Sequence, residues 1–453
     1  ASAIYGTDAV AGVVNTVLRD DYEGLEVSSR YGSSFGTGLD EHTFNAIAGF
    51  RVNNDKTRIT VSANRFERDA MFARERDYSK SQDMRPQLVG TAFEGDAQFR
   101  NTSSFTPFFR TKLYGPINAT TGLATAFGTT AVTSNGVAVT TTGGRFTILP
   151  KASAGANSIQ LPGQPAGVHI STLTQVPSSL YFENNQNRTM IPSTKRINLF
   201  SSVVTELEND WEVYSELSYY TATNEFNNGG GNFGSLSHSP VWLPASNYYN
   251  PFGPKLRPDG TVNPYRLPNL VGVPDAGSAM PMDYGVGTAY RSLETNRVTV
   301  VEDESFRIVQ GVRGDYEGWD FDTGFVYSES ETHDKTSGRH SSTAFLHQLG
   351  LATSDAYNPF NGAGTYANNA TDGTPMPASV YNQYTITVDR ISKTTLLLTD
   401  FKISKPDLFE LPGGDVGFAF GTEFRRHTYS DDRDCLLYTS DAADDLLCVD
   451  LGG

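Results

Sequence analysis

Apolar and polar residues alternate one by one along segments spread through the whole chain, and a period of two admits strands with one apolar face and little else. From Trp211, one face reads Trp211, Val213, Ser215, Leu217, Tyr219 and the other Glu212, Tyr214, Glu216, Ser218, Tyr220. From Trp319, Trp319, Phe321, Thr323, Phe325, Tyr327 oppose Asp320, Asp322, Gly324, Val326, Ser328. The pattern returns at Leu25 and Val27, at Phe44, Ala46, Ala48 and Phe50, at Ile59 to Ala63, at Ile197 to Val203 and at Phe418 to Phe424. It is blurred at Arg297 to Val312 and Thr394 to Ile403. The expectation is an all-β, antiparallel chain of about nine strands. No apolar run reaches the roughly 18 residues of a transmembrane helix, which leaves open a membrane barrel crossed by strands.

Two of the strands separate such a barrel from a soluble sandwich. Trp211 and Tyr219, and again Trp319 and Tyr327, share a face eight positions apart. At roughly 3.3 Å per residue and a tilt of about 40°, each pair spans about 20 Å along a membrane normal, near the apolar band of about 25 Å between aromatic girdles. Connection lengths alternate in the same sense. Short polar turns are expected at Asn53-Asn54-Asp55, Glu208-Asn209-Asp210, Asp315 to Gly318 and around Pro406 to Gly414. Long segments lie near Phe72 to Lys195, Asn227 to Asn296 and Lys335 to Lys393. Outer-membrane barrels place short turns in the periplasm and long loops outside, and a first strand rising from the periplasm puts every long segment on the outside.

The first fifteen residues, Ala1-Ser-Ala-Ile-Tyr5-Gly6-Thr-Asp8-Ala-Val-Ala-Gly12-Val-Val-Asn15, are rich in small residues that let backbones approach closely, with Gly6 suited to a tight turn. The stretch resembles the end of the plug domain of TonB-dependent outer-membrane receptors, with Tyr5, Gly6, Asp8, Gly12 and Asn15 carrying the likeness. The resemblance implies that residues 1–19 close a plug and that 20–434 form the N-terminal part of a barrel, about nine of the family's 22 strands. It also implies that the signal peptide, the TonB-contacting segment and most of the plug precede Ala1. By the same resemblance the chain sits in the bacterial outer membrane and imports a scarce nutrient such as an iron-siderophore, cobalamin, an oligosaccharide or a peptide. Its partners are then membrane lipid, that ligand and the TonB energy-coupling complex, reached through the missing segment. A passive porin shares the strands and loops but has no plug, and a surface adhesin needs no energy coupling.

The C-terminal end reads differently. Reverse-translated with permitted codons, Cys435 to Asp444 resembles one arm of a transposase sequencing adapter, and Cys448 to Gly453 resembles its far arm in the same frame. Residues 435–453 are therefore set apart as adapter-derived. They hold both cysteines and four aspartates, and without them the formal charge moves from −16 to −12. No basic stripe is present, so nucleic acid is not expected as a partner.

The long segments carry the candidate binding groups. Tyr249-Asn250-Pro251-Phe252-Gly253 recurs loosely as Tyr357-Asn358-Pro359-Phe360-Asn361, and Asn-Pro before an aromatic makes a turn that presents a ring. Trp242, Tyr248, Tyr249, Phe252, Tyr357 and Phe360 are the candidate ligand contacts, the alternative being that these rings pack the loops together. Phe72 to Lys195 is Thr-, Ser-, Ala- and Gly-rich, almost low-complexity at Phe127 to Thr140, and is expected as small surface hairpins or mobile chain. No enzyme, cofactor or metal site is expected. Gly32-Ser33-Ser34-Phe35-Gly36 matches a nucleophile elbow in letters but precedes a loop and a strand where the elbow needs a helix. His333, His340 and His347 lack zinc-site spacing. The carboxylates Asp320 and Asp322, and Glu212 and Glu216, fall on the polar face and read as solvated wall.

Overall fold

A computed structural model describes residues 22–434 apart from 105, 118–123, 127–129, 166, 231–240, 283–295, 363–373 and 375. The plug-like residues Tyr5, Gly6, Asp8, Gly12 and Asn15, and the adapter-like tail, lie outside the described residues.

Nine strands form one antiparallel sheet in strict sequence order. They are β1 Gly24–Ser33, β2 Asp40–Val52, β3 Thr57–Arg68, β4 Ser193–Glu206, β5 Glu212–Gly230, β6 Asn296–Tyr316, β7 Trp319–His340, β8 Thr385–Leu411 and β9 Gly414–Arg433. Each strand found by its alternation is present, including the blurred pair, now β6 and β8. β1 and β9 are the two edges.

The turns explain why the meander closes tightly along one edge. Asn53, Asn54 and Asp55, and then Asn209 and Asp210, hold φ between 55° and 65°, which short polar side chains tolerate better than most. Tyr316 pairs with Trp319 across Glu317 and Gly318. Both of those residues have positive φ, 54° and 77°, the two-residue hairpin whose twist matches its strands. The fourth turn corrects an expectation. Pro406 to Leu411 is strand, and only Pro412 and Gly413 turn the chain, because Leu411 already pairs with Gly414. The register slips between Lys405 and Phe409, and Pro406 sits in that slip, where the ladder asks for no N–H.

On the opposite edge, residues 34–39 make a short link and three long connections, 69–192, 231–295 and 341–384, build a second body. Its core draws on all three: Phe109, Phe146 and Ile148 from the first, Leu243, Phe252 and Met280 from the second, Phe345, Tyr357 and Phe360 from the third. The first connection contains a four-stranded sheet, and the third opens with helix α1, Ser342–Gly350, capped by the Ser341 hydroxyl accepting from the Ala344 N–H at 3.3 Å. The expected small hairpins are present, Thr133–Ser134 pairing with Val137–Ala138 among them, and they are tied into a larger body. The described loop residues fold around a shared apolar core, which no single connection could supply.

Candidate functional site

Strand pairing carries each side-chain face across the whole sheet. One face presents Leu25 (71% exposed), Phe325, Phe420 and Phe424 (61%) to the surroundings. The other is polar and internally paired. Glu212 accepts from Arg58 at 3.0 Å and Arg313 at 2.7 Å. Arg58 also reaches Glu206 at 2.6 Å, and Arg307 reaches Glu216 at 3.2 Å. The Tyr214 hydroxyl donates to Asp322 at 3.1 Å. Glu212, Glu216 and Asp322, expected as solvated wall, are thus tied into a cross-strand network. A sheet with apolar side chains outermost and ion pairs on its other face is inside out for water.

The apolar band is also slanted. Following paired residues from Phe44, the top of the band in β2, the register passes Arg65, Ile197, Thr221, Glu304, Glu331 and Lys393 to Ser430 in β9. In β9, however, the uppermost band residue is Phe424, level in register with Phe50 at the bottom of the band in β2. The band therefore slips about six residues over seven strand-to-strand steps; at roughly 3.3 Å per residue and 4.8 Å per strand this makes a tilt of about 30°. Barrel strands crossing a membrane tilt by roughly 35–45°. A flat sandwich face has no reason to shift its apolar residues along the strands from one side of the sheet to the other.

Aromatic rings border the band. At the short-turn edge Trp211 stacks on Phe321 at 6.0 Å and 23°, Phe321 meets Phe401 at 6.3 Å, and Trp319 meets Phe418 edge-on at 5.9 Å. Trp211 lies across Gly314, where an added Cβ would come within 2.6 Å of the indole, so the glycine makes room for the ring. Eight positions up each strand, on the same face, Tyr219 pairs with Phe306, and Tyr327 sends its hydroxyl to Glu329 at 2.9 Å. Phe306, Ile308, Phe401 and Ile403, which complete the band, belong to the blurred strands.

In the loop body the candidate aromatics divide. Trp242, Tyr248 and Tyr249 are partly exposed. Phe252, Tyr357 and Phe360 are fully enclosed, which corrects their assignment as ligand contacts: they are core. The cause is the turn itself. In each Asn-Pro-aromatic run the Asn side chain accepts the N–H two residues on, at 2.9 Å for Asn250 to Phe252 and 3.0 Å for Asn358 to Phe360, and its amide then ties down another part of the chain. Asn250 donates to Pro244 and Ser278, and Asn358 to Gln164. Asn263-Pro264-Tyr265 repeats the device, with 3.0 Å from the Tyr265 N–H to Asn263; this third copy was visible in the sequence and passed over.

Tyr265 completes a triad with Tyr248 and Tyr249, ring centroids 4.9–5.3 Å apart. The Arg257 guanidinium lies 3.9 Å from the Tyr248 ring centre. Burial, with help from Tyr265 and Tyr248, pushes the Tyr249 phenol up to about 12, so it remains a donor, given to the Ser354 carbonyl at 2.7 Å. Trp242 packs edge-on against Tyr114 at 5.0 Å.

The histidines do not converge. His333 meets Asp389 at 3.0 Å, His340 packs on Tyr384, and His347 lies on α1. Among the described residues no group of three or more His, Cys, Asp or Glu could hold a metal ion. Gly32 to Gly36 runs from strand into the 34–39 link, with no helix behind it.

No protein-family model matches the chain, and neither does any curated protein. Among solved structures, the ferripyoverdine receptor of the outer membrane of Pseudomonas aeruginosa, bound to ferripyoverdine, aligns at 8% identity with a TM-score of 0.26. The alignment covers 91% of this chain and 39% of that receptor. A likeness of that size supports no argument of its own, and the chain stands on its geometry: an almost wholly β, antiparallel sheet with an outward apolar face.

Proposed function

We propose that the nine strands are part of the wall of an outer-membrane β-barrel, short turns toward the periplasm and the folded loop body outside, serving energy-coupled uptake of a scarce nutrient. The slanted, outward apolar band carries the membrane reading, since it supplies both a lipid-facing surface and the strand tilt that crossing requires. Coupling to TonB rests on the resemblance of Ala1 to Asn15 to the end of a plug, because a plugged lumen cannot pass solute at a porin's rate.

Ligand recognition falls to rings that remain accessible, Trp242, Tyr248 and Tyr249, on a body held rigid by its own core. The substrate class stays as broad as iron-siderophore, cobalamin, oligosaccharide or peptide. The test is labelled-ligand uptake in cells carrying the complete gene, with and without an uncoupler. Uptake that saturates and collapses on uncoupling, while surface binding persists, is the expected result. Transport linear in concentration and indifferent to the uncoupler identifies a porin instead, and binding without transport an adhesin. Tyr248→Ala or Trp242→Ala should weaken surface binding by about 1–3 kcal/mol if these rings are anchors.

A further inference from the structure

One level of the polar face crosses all nine strands without a carboxylate or a basic group. Following paired residues, it reads Ser28, Asn45, Asn64 and Asn198 on β1 to β4. Tyr220 continues it on β5, and Ser305, Ser330, Thr394 and Tyr429 complete it on β6 to β9. The neighbouring levels on the same face are charged, with Glu26 and Arg307 toward the short turns and Arg30, Arg196, Asp303 and Asp431 toward the loops. On β1 to β3 the neutral level is a bonded run. The Asn64 amide donates to the Asn45 side-chain carbonyl at 2.5 Å, and the Asn45 amide donates to the Ser28 hydroxyl at 3.2 Å. Asn198 stands exposed beside this run and outside it. The three asparagines and Ser28 line a hollow of about 200 Å³, with Glu26 and Ser62 on its short-turn side.

We propose that this asparagine-lined hollow is a subsite on the inner wall for a neutral polyhydroxylated solute, one sugar unit of an uncharged oligosaccharide. The inference rests on the coupled-uptake reading above and narrows its substrate class. A hydroxyl both donates and accepts, and hydroxyls on adjacent ring carbons present both functions side by side. A carboxamide answers them with Nδ2 and Oδ1 of a single side chain, and three carboxamides on adjacent strands, roughly 4.8 Å apart, repeat that answer in a row. Cross-strand bonding alone does not account for Asn198, which the bonded run leaves out. An anionic ligand meets only Glu26 at this hollow and is repelled, whereas a sugar hydroxyl donates to the same carboxylate. A site built from such groups rejects a solute that lacks hydroxyls, because its amides are then left unpaired.

The test offers cells carrying the complete gene a tritiated panel, with and without an uncoupler. The panel holds neutral gluco-, manno-, xylo- and galacto-oligosaccharides, an acidic oligogalacturonate, ferrichrome, cyanocobalamin and an end-blocked hexa-alanine. The expected result is saturable, uncoupler-sensitive uptake of at least one neutral sugar series, with oligogalacturonate taken up at least tenfold less well. Asn64→Leu or Asn198→Leu should raise the half-saturating sugar concentration about tenfold, and the two together further. Asn198→Leu breaks no bond of the run, and the heat-modifiable migration of the folded barrel shows that the wall is intact. Asp407→Asn, at the short-turn edge, should change nothing. Uptake of ferrichrome, cyanocobalamin or hexa-alanine but of no neutral sugar overturns the sugar assignment and leaves the coupled-uptake reading standing, and uptake of nothing in the panel overturns the assignment as well. Sugar uptake that ignores both asparagine changes overturns the subsite. Sugar passage that is linear and indifferent to the uncoupler overturns the coupled-uptake reading, and the inference that rests on it.

Discussion

The wall and the loop body use the same residue types in opposite directions. In the wall, Phe325, Phe420 and Phe424 point outward and remain 43–61% exposed; in the loop body, Phe146, Phe252 and Phe360 are fully enclosed. Apolar side chains go where water is not. In the loop body that place is a core the three connections make for themselves, and in the wall, on the membrane reading proposed above, it is the hydrocarbon of the bilayer. The polar groups invert as well. Arginine–glutamate pairs occupy the polar face of the wall, while in the interior of the loop body the Asn247 amide is spent on the Leu349 and Tyr357 carbonyls.

Four substitutions test that contrast, beginning with the largest effect. Phe252→Ala should cost about 3–5 kcal/mol as a deleted core ring, read as faster hydrogen exchange in all three long connections with the wall strands unchanged; a loss confined to residue 252 would mean the connections do not share a core. Phe325→Arg should cost about 2–4 kcal/mol in vesicle refolding, whereas Asp322→Asn, which keeps an acceptor for Tyr214, should cost little. Equal small penalties there would put Phe325 in water. Gly314→Val should cost about 1–3 kcal/mol by driving a side chain into the Trp211 indole, and a double variant with Trp211→Ala should recover most of it. No recovery would show that the glycine serves the backbone and not the ring.

The smallest effect is a pH dependence of the loop body. His340 lies thirteen residues beyond Tyr327, above the band; burial, then the nearby Arg297, lowers it to about 4 from 6.5. A depressed folded value means the histidine is buried neutral, so its contribution is intact above about pH 6.5 and is lost as pH falls toward about 4. His340→Gln should flatten that decline in a thermal-melt series from pH 7 to 4, and an unchanged profile would point to another group.

The same contrast explains what the chain reveals before folding. The wall is legible because an apolar face on one side and a polar, ion-paired face on the other impose a period of two. β6 blurs where it extends beyond the band, at Glu302 and Glu304, and β8 blurs because Leu396 and Leu398 stand on the polar face on either side of Leu397. The loop body has no period, since its core joins residues more than two hundred positions apart. Its punctuation was readable in the Asn-Pro-aromatic runs, but their direction was not. The Asn side chain captures the aromatic residue's own N–H, and whether the ring then faces water depends on neighbours from other connections. Trp211, Tyr219, Trp319 and Tyr327 could be placed on one face from spacing alone.

A core assembled from three separate connections also sets an order of events. Residues 109, 252 and 360 lie on three different connections, so their meeting is expected to follow the pairing of β3 to β8 that brings the loop ends together. Slow exchange at Phe146 or Phe360 should therefore appear later than at Val203 or Phe325 in a pulse-labelled refolding series, and the reverse sequence would refute the ordering. Construction of the wall is then the clock, and any lesion that delays strand pairing lengthens the time for which the apolar residues of the connections lie unprotected.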